Sequence, residues 1–92
     1  MPKILKLEPA TNKRHKWIAF FDDGTKTRFG AKGYEDFTTH GDLDRRERYK
    51  ARHAKDLRTN DPRKAGFLSY YILWGDSTDI NENIKTYNRR FG

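Results

Sequence analysis

The stretch KWIAFFDDGTKTRFG, residues 16–30, has the pattern of a β-hairpin. Its first half is rich in aromatic and β-branched residues, which favour strands. Asp23 and Gly24 follow as a two-residue turn in which both positions favour positive φ. In the returning strand, successive side chains such as Arg28 and Phe29 face opposite sides. The sequence therefore predicts an antiparallel hairpin over residues 16–30.

Residues 1–15 precede this hairpin, and most of their charged side chains are basic. The segment KILKLEP alternates apolar residues with lysines and stops at a proline, which predicts a short edge strand or an arm. The segment TNKRH that follows predicts a basic loop. The cations nearest the hairpin are Lys13, Arg14 and Lys16. They lie beside four aromatic residues that we expect in the core: Trp17, Phe20, Phe21 and Phe29.

Residues 31–41 follow the hairpin and combine glycines with the aromatics Tyr34 and Phe37. Flexible linkers seldom carry two large aromatic side chains. We therefore predict an ordered loop here. The first helix is predicted to begin near Asp42 and to end near Lys55. His40 and Asp42 are expected to cap its amino-terminal end.

The first predicted helix has two contrasting faces. Leu43, Ala54 and Leu57 fall on an apolar side, which His53 and Tyr49 flank. Arg46 and Lys50 fall toward that apolar side and are expected to extend to solvent or to pair. The opposite face carries cations spaced three and four residues apart: Arg45, Arg48, Arg52 and Lys55.

Two further helices are predicted in the last third of the chain. Asp61 and Pro62 have the pattern of a helix start, and an apolar segment then continues to Trp74 and Gly75. A third helix should begin with Ser77 or Thr78 as its cap. Its apolar stripe consists of Ile80, Ile84, Tyr87 and Phe91.

Together these segments predict an α+β fold, in which a small antiparallel hairpin or sheet is followed by three short helices. We expect one domain over residues 1–92, with an arm or edge strand (1–15), a hairpin (16–30), an ordered loop (31–41) and helices (42–92). The residues expected to build the fold are Trp17, Phe21, Tyr34, Phe67, Leu73, Trp74, Ile80 and Ile84.

Composition narrows the classes of function. The 92 residues include 20 lysines and arginines against 13 acidic residues, for a net charge of +7. There is no cysteine, which excludes disulfides and thiolate metal sites. No apolar run approaches the length of a membrane span, and the first residues lack the apolar core of a secretory signal. We expect the protein to act inside a cell or a particle.

The positive charge is uneven, which suggests a binding surface. Residues 42–64 contain nine basic and five acidic side chains, and residues 1–21 contain five and one. Such clusters suit nucleic acid or an acidic protein surface. The alternative is a solvated helix face held by pairs such as Asp44 with Arg48.

Residues 40–53 also allow an enzymatic interpretation. His40, Asp42, Glu47, Arg48 and His53 could form a small metal-dependent nuclease site, with carboxylates for the metal and histidine as base. Their spacing matches no metal-ligand or phosphate-loop motif. Capping and packing roles explain the same residues, so no catalytic residue, metal or cofactor is predicted.

The ordered motifs of the chain resemble an uncharacterised family of small basic proteins encoded by large double-stranded DNA viruses, the nucleocytoplasmic type included. The resemblance covers about residues 16–92, and the helix before Gly75 lacks the second tryptophan that the family more often has. The motifs are Phe29-Gly30, Gly33-Tyr34, Asp36-Phe37-Thr38, His40-x-Asp42, Arg45-Arg46, Arg48-Tyr49, Arg52-His53, Asn60-Asp61-Pro62, Ala65-Gly66-Phe67 and Leu73-Trp74.

This resemblance implies a protein of the virion, and otherwise of the cytoplasm or nucleus of an infected cell. We predict a non-enzymatic structural protein that contacts duplex DNA without base preference, or an acidic coat-protein surface. The expected contacts are Arg45, Arg48, Arg52, Lys55, Lys13, Arg14 and Lys16. A capsid cement or minor capsid protein without nucleic-acid binding is the alternative. Tyr34, Asp36, His40, Asp42, His53, Asp61 and Trp74 are expected to be structural, and the sequence leaves the oligomeric state open.

Overall fold

The structure is a computed structural model that describes residues 3–92. Its first part is a three-stranded antiparallel sheet. Its strands are β1 (Ile4–Pro9), β2 (His15–Phe21) and β3 (Lys26–Ala31), in the order β1-β2-β3. Helical segments follow the sheet, so the predicted α+β class is confirmed. The amino-terminal segment forms an edge strand over the described residues.

Strands β2 and β3 form the predicted hairpin. Trp17 is the cross-strand partner of Phe29. At the turn, the Asp23 carboxylate accepts hydrogen bonds from the Thr25 amide (3.0 Å) and the Thr25 hydroxyl (2.6 Å). Gly24 has φ +86° and its amide donates to the Phe21 carbonyl (3.2 Å), whereas Asp23 does not have positive φ. The Phe21 amide donates to the Thr25 carbonyl (2.9 Å), so the turn contains residues 22–24 and the predicted two-residue turn was wrong. The local sequence thus favours the hairpin, and Arg63 adds a tertiary contact to the Asp23 carboxylate at 2.7 Å.

A register shift between Ile4 and Lys6 interrupts the regular alternation of side chains along strand β1. The shift leaves Leu5 exposed and directs Ile4 and Leu7 to the same core face. Asn88 fixes the start of the strand, because its side-chain oxygen accepts from the Ile4 amide (2.8 Å) and its amide nitrogen donates to the Ile4 carbonyl (3.0 Å).

Helices cover one face of the sheet. Helix α1 spans Phe37–His40, and α2 spans Leu43–His53 and continues as a 3-10 helix over Ala54–Thr59. Helix α3 spans Ala65–Leu68 and continues as a π-helical turn over Ser69–Leu73. Helix α4 spans Ile80–Phe91. No helix within residues 3–92 has the length and apolar character needed to cross a membrane.

The core lies between the sheet and helices α3 and α4. Fully or almost fully buried side chains from both layers meet there: Ala19, Phe21, Phe29, Leu68, Ile72, Leu73 and Tyr87. Most residues expected to build the fold are confirmed in this core or packed against it. Tyr34 is the exception, because 74% of its surface is exposed.

Other positions expected on apolar faces also differ. Leu43 is 64% exposed and Ala54 is exposed as well, so the apolar side predicted for α2 was wrong at both positions, and Leu57 is partly buried. Phe20 pairs across strands with Lys6 and Lys26, so it lies on the sheet face opposite Ala19. The Lys6 ammonium sits 5.0 Å from the centre of its ring. Phe20 is therefore a partly exposed residue outside the core.

The start of α2 agrees with the prediction. The Asp42 carboxylate accepts hydrogen bonds from the amides of Asp44 (3.0 Å) and Arg45 (3.2 Å). These bonds lower the pKa of Asp42 below its ordinary value, with the Arg45 amide as the largest cause. His40 supports the cap, because its Nδ1 accepts from the Asp42 amide at 2.8 Å.

The starts of the later helices were predicted wrongly. Asp61 accepts from the Arg63 amide (3.0 Å) in a turn, and α3 begins only at Ala65, after Lys64 in extended conformation. Proline therefore lies in a turn before the helix and does not occupy its first position. In α4 the cap is Asp79, whose carboxylate accepts from the Asn81 amide (2.9 Å).

Candidate functional site

A groove of about 730 Å³ lies between the β3–α1 loop, helix α2 and the π-helical end of α3. Its volume is within the range of about 300–1,000 Å³ that is typical of ligand sites. We call it the α2 groove. Its principal side chains are three arginines, three aromatic or imidazole rings, a rim tyrosine and two carboxylates: Arg45, Arg48, Arg52, Tyr49, Trp74, His53, Tyr34, Glu35 and Asp36.

Stacked rings form one wall of the α2 groove. The Tyr49 ring stacks on Trp74, with centroids 4.2 Å apart and planes 6° apart. His53 stacks on Tyr49 at the same centroid distance. Burial, the largest cause, raises the pKa of the Tyr49 phenol to about 12. The Tyr49 phenol is therefore uncharged at neutral pH, and the stacked rings of Tyr49 and Trp74 give the groove an apolar wall.

The arginines follow from the helical repeat of α2. Arg45, Arg48 and Arg52 are three and four residues apart, which places them on one helix face with Cβ atoms about 5–6 Å apart. Arg45 makes a long contact of 3.5 Å with Glu35. Within residues 3–92, no carboxylate oxygen lies within 4.0 Å of Arg48 or Arg52. These two exposed guanidinium groups are free to bind an anion.

The remaining predicted contact residues lie outside this groove or are engaged. Lys55 is exposed on the 3-10 extension of α2 and does not line the α2 groove. Lys13 and Arg14 are exposed in the β1–β2 loop. The Lys16 ammonium is 2.8 Å from the Asp36 carboxylate, and their side chains are 20% and 4% exposed. Lys16 is thus an internal partner of Asp36 and is not free to contact a second molecule.

Asp36 organises the loop that carries Tyr34. Its carboxylate accepts hydrogen bonds from the amide and the hydroxyl of Thr38, and Thr39 completes a capping box with the Asp36 backbone. These bonds start helix α1 within the predicted ordered loop. The hydrogen bonds of Asp36 therefore hold the loop that carries Tyr34 in place at the rim of the groove.

The residues considered for a nuclease site have other roles. Asp42 caps α2, and His40 supports that cap. His53 Nδ1 lies 3.0 Å from the Asp56 carboxylate, and Glu47 pairs with Arg46 at 3.1 Å. Over the described part of the chain, no group of three or more histidine or acidic side chains is close enough to hold a metal ion.

Arg46 shows how a cation on the inner side of α2 is accommodated. Its Nε donates to the Gly75 carbonyl (2.8 Å), and its guanidinium pairs with Asp76 at 2.5 Å. The group also lies 5.5 Å from the centre of the Phe37 ring. Lys50 similarly lies 5.1 Å from the centre of the Tyr70 ring. The expectation of pairing is confirmed for Arg46, whereas Lys50 contacts an aromatic ring.

A model of a family of unknown function, DUF5754, matches residues 5–53, just over half of the chain. The chain belongs to this family. The DUF5754 match contains the sheet, the Tyr34 loop and the three arginines of α2, whereas helices α3 and α4 lie beyond it. Comparison with curated proteins and with solved structures finds no match.

The arginine face was predicted from helical spacing, but the α2 groove beside it was not. Tyr34 is predicted to help build the fold, in a loop expected to be ordered because flexible linkers seldom carry two large aromatic side chains. Its neighbours are Gly33 on one side and Glu35 on the other, so no apolar residue adjoins it in the sequence. That local pattern was the available signal for an exposed ring.

Proposed function

We propose that this protein is a non-enzymatic, virion-associated structural protein that binds viral DNA through phosphate contacts on helix α2. The observation that carries the proposal is the pair Arg48 and Arg52, exposed on one face without carboxylate partners. A guanidinium group presents a fixed fork of donors that suits phosphate oxygens. Two such groups a helical turn apart are able to hold separate phosphates along a strand.

Further cations extend this contact surface. Arg45 and Lys55 continue the helix face at its two ends, and Lys13 and Arg14 are exposed in the β1–β2 loop. The net charge of +7 adds a long-range attraction for a polyanion. Binding of this kind positions the protein on the backbone and reads no base edges.

The non-enzymatic part of the proposal rests on the roles of the acidic and histidine side chains. Asp36 and Asp42 cap helices, and His40 and His53 are bound to neighbouring groups. Each has a structural role that explains its position. Incubation of plasmid with the protein and Mg²⁺ or Mn²⁺ should leave the plasmid intact; nicking would contradict this part.

The viral setting rests on the resemblance of the motifs from Phe29 to Trp74 to proteins of large DNA viruses. A role in genome packing is consistent with phosphate contacts that ignore base sequence. The setting is tested by locating the protein in purified particles. Its presence in the interior with the genome supports the proposal, and its absence from particles contradicts it.

The binding mode is tested by titrating duplex DNA at several salt concentrations. If about five phosphates are neutralised, the log–log slope of affinity against salt should be about −4 to −5. The double variant Arg48→Ala and Arg52→Ala should reduce the magnitude of the slope by about 2. The matched control is Arg28→Ala with Arg89→Ala, which removes the same charge from exposed positions outside the α2 groove.

The two double variants distinguish specific contacts made by Arg48 and Arg52 from a general effect of net charge on DNA affinity. An equal loss in both double variants would show that only the total charge matters. Negligible binding by the wild-type protein at low salt would remove the DNA-binding function.

An acidic coat-protein surface is the second candidate partner, for a capsid cement or minor capsid role. The exposed Tyr34 favours it, because this ring lies at the rim of the α2 groove beside the arginines and offers apolar area to a protein. A protein found in the shell of the particle that shows no affinity for DNA would support this candidate.

A further inference from the structure

We infer that the α2 groove binds an unpaired nucleobase together with its flanking phosphates, so that single-stranded nucleic acid binds more tightly than duplex. This inference rests on the proposed nucleic-acid binding and specifies the form of the ligand. It follows from the position of the exposed Tyr34 ring at the rim of a groove that also holds Arg48 and Arg52.

The Tyr34 ring is available for stacking. It is 74% exposed, which makes it the most exposed of the large hydrophobic side chains between residues 3 and 92. Its backbone is nevertheless ordered, since its amide donates to the Ala31 carbonyl (3.3 Å) and the Asp36 capping box follows two residues later. A ring placed on an ordered turn, and not used by the core, offers a flat apolar surface at low entropic cost.

The charges around the groove suit a nucleotide backbone. Arg48 and Arg52 line it without carboxylate partners among the described residues. The carboxylate of Asp36, which also lines the groove, is paired with Lys16 at 2.8 Å and so adds little repulsion. Glu35 is partly offset by Arg45 at 3.5 Å. A phosphate that flanks a base in the groove is therefore able to contact Arg48 or Arg52.

The shape of the groove favours unpaired bases. A duplex keeps its bases stacked inside, so their flat faces are not accessible to a ring at the rim of a concave site. A single strand turns its bases outward, and aromatic side chains next to cations are the usual platform for them. The opening of about 730 Å³ beside Tyr34 is large enough to admit a planar ring system.

The inference is tested by fluorescence anisotropy with a labelled oligodeoxythymidylate of about 12 nucleotides, a length within the range of small single-strand sites. A duplex of equal length is measured at the same salt concentration. Tyr34→Ala should weaken single-strand binding about 5- to 150-fold, the range that loss of one stacked base predicts. Tyr34→Trp should retain it, and neither variant should alter duplex binding.

An abasic oligonucleotide of the same length provides a control without a substitution. It should bind the wild-type protein as weakly as the thymidylate strand binds Tyr34→Ala, because both lack the stacked pair. Since the Tyr34 ring is exposed, the thermal unfolding of Tyr34→Ala should match that of the wild type.

The failure of this inference is distinguishable from failure of the proposed function. If the wild type binds duplex as tightly as the single strand, or if Tyr34→Ala weakens both equally, base stacking in the α2 groove is wrong while DNA binding stands. If neither oligonucleotide binds at low salt, the proposed function is wrong as well.

Discussion

At the scale of single residues, the pair of Lys16 and Asp36 connects the sheet to the loop that forms the groove rim. Lys16 is on β2, and Asp36 caps α1 with its carboxylate almost entirely buried. A buried carboxylate without a cation is costly, because the desolvation of its charge is not compensated. The pair thus stabilises the geometry that presents Tyr34.

The substitution Lys16→Met tests this pair. It keeps the aliphatic stem but leaves Asp36 charged and unpaired, so we expect a loss of about 3 kcal/mol in the free energy of unfolding. Chemical denaturation measures this loss, and Lys13→Met in the exposed loop is the control, with an expected change within about 0.5 kcal/mol. Adding Asp36→Asn to Lys16→Met should recover part of the stability. A fully stable single variant would show that the pair is dispensable.

At the scale of elements, the end of β3 packs closely against α3. The backbone of Gly30 has φ +80°, and a Cβ atom there would lie 2.8 Å from Leu73 Cδ1. Leu73 is buried in the π-helical turn of α3, where the Trp74 amide donates to the Ser69 carbonyl at 3.0 Å. This turn leads directly to Trp74, which stacks on Tyr49. The contact at Gly30 therefore sets the floor of the α2 groove.

Gly30→Ala should accordingly destabilise the protein by about 3 kcal/mol, because backbone strain adds to overpacking against Leu73. The matched control is Gly33→Ala, where φ is +90° but no atom lies within 4 Å of the added Cβ. Strain alone should cost about 1 kcal/mol there. Denaturant unfolding of the two variants measures the difference; equal losses would mean that the β3–α3 contact is loose.

At the scale of the whole molecule, the fold needs both ends of the chain. The Asn88 side chain bonds to the backbone of Ile4, 84 residues away. The Tyr87 hydroxyl donates to the Pro62 carbonyl at 2.6 Å, and its ring is buried in the core. The segment matched by DUF5754 supplies the sheet face, whereas α3 and α4 cover it.

A fragment of residues 1–53 should therefore fail to fold by itself. It lacks Leu68, Ile72 and Tyr87, so the apolar face of the sheet would be left in water. We expect no cooperative thermal transition by circular dichroism and poorly dispersed amide resonances. The full chain with Asn88→Ala is the control, and it should unfold cooperatively at a lower temperature. A cooperative transition in the fragment would show that the matched segment is an independent unit.

Part of the candidate site could be predicted from the sequence. The part that could not be predicted depends on contacts between residues far apart in the chain. The common face of Arg45, Arg48 and Arg52 follows from helical spacing alone. The groove beside them requires the β3–α1 loop and the end of α3 to approach α2. The burial of Lys16 could not be predicted either, since its partner Asp36 is 20 residues away.

The sequence by itself determined the features that depend on neighbours within a few residues. The hydrogen bonds of Asp23 with Thr25 and the cap at Asp42 are interactions of this kind, so the hairpin and the start of α2 were predicted correctly, although the turn has three residues and not the predicted two. The tertiary structure alone decided that a groove forms beside Tyr34 and that Lys16 is engaged with Asp36. These outcomes depend on which distant surfaces meet, and the packing of the whole chain selects them.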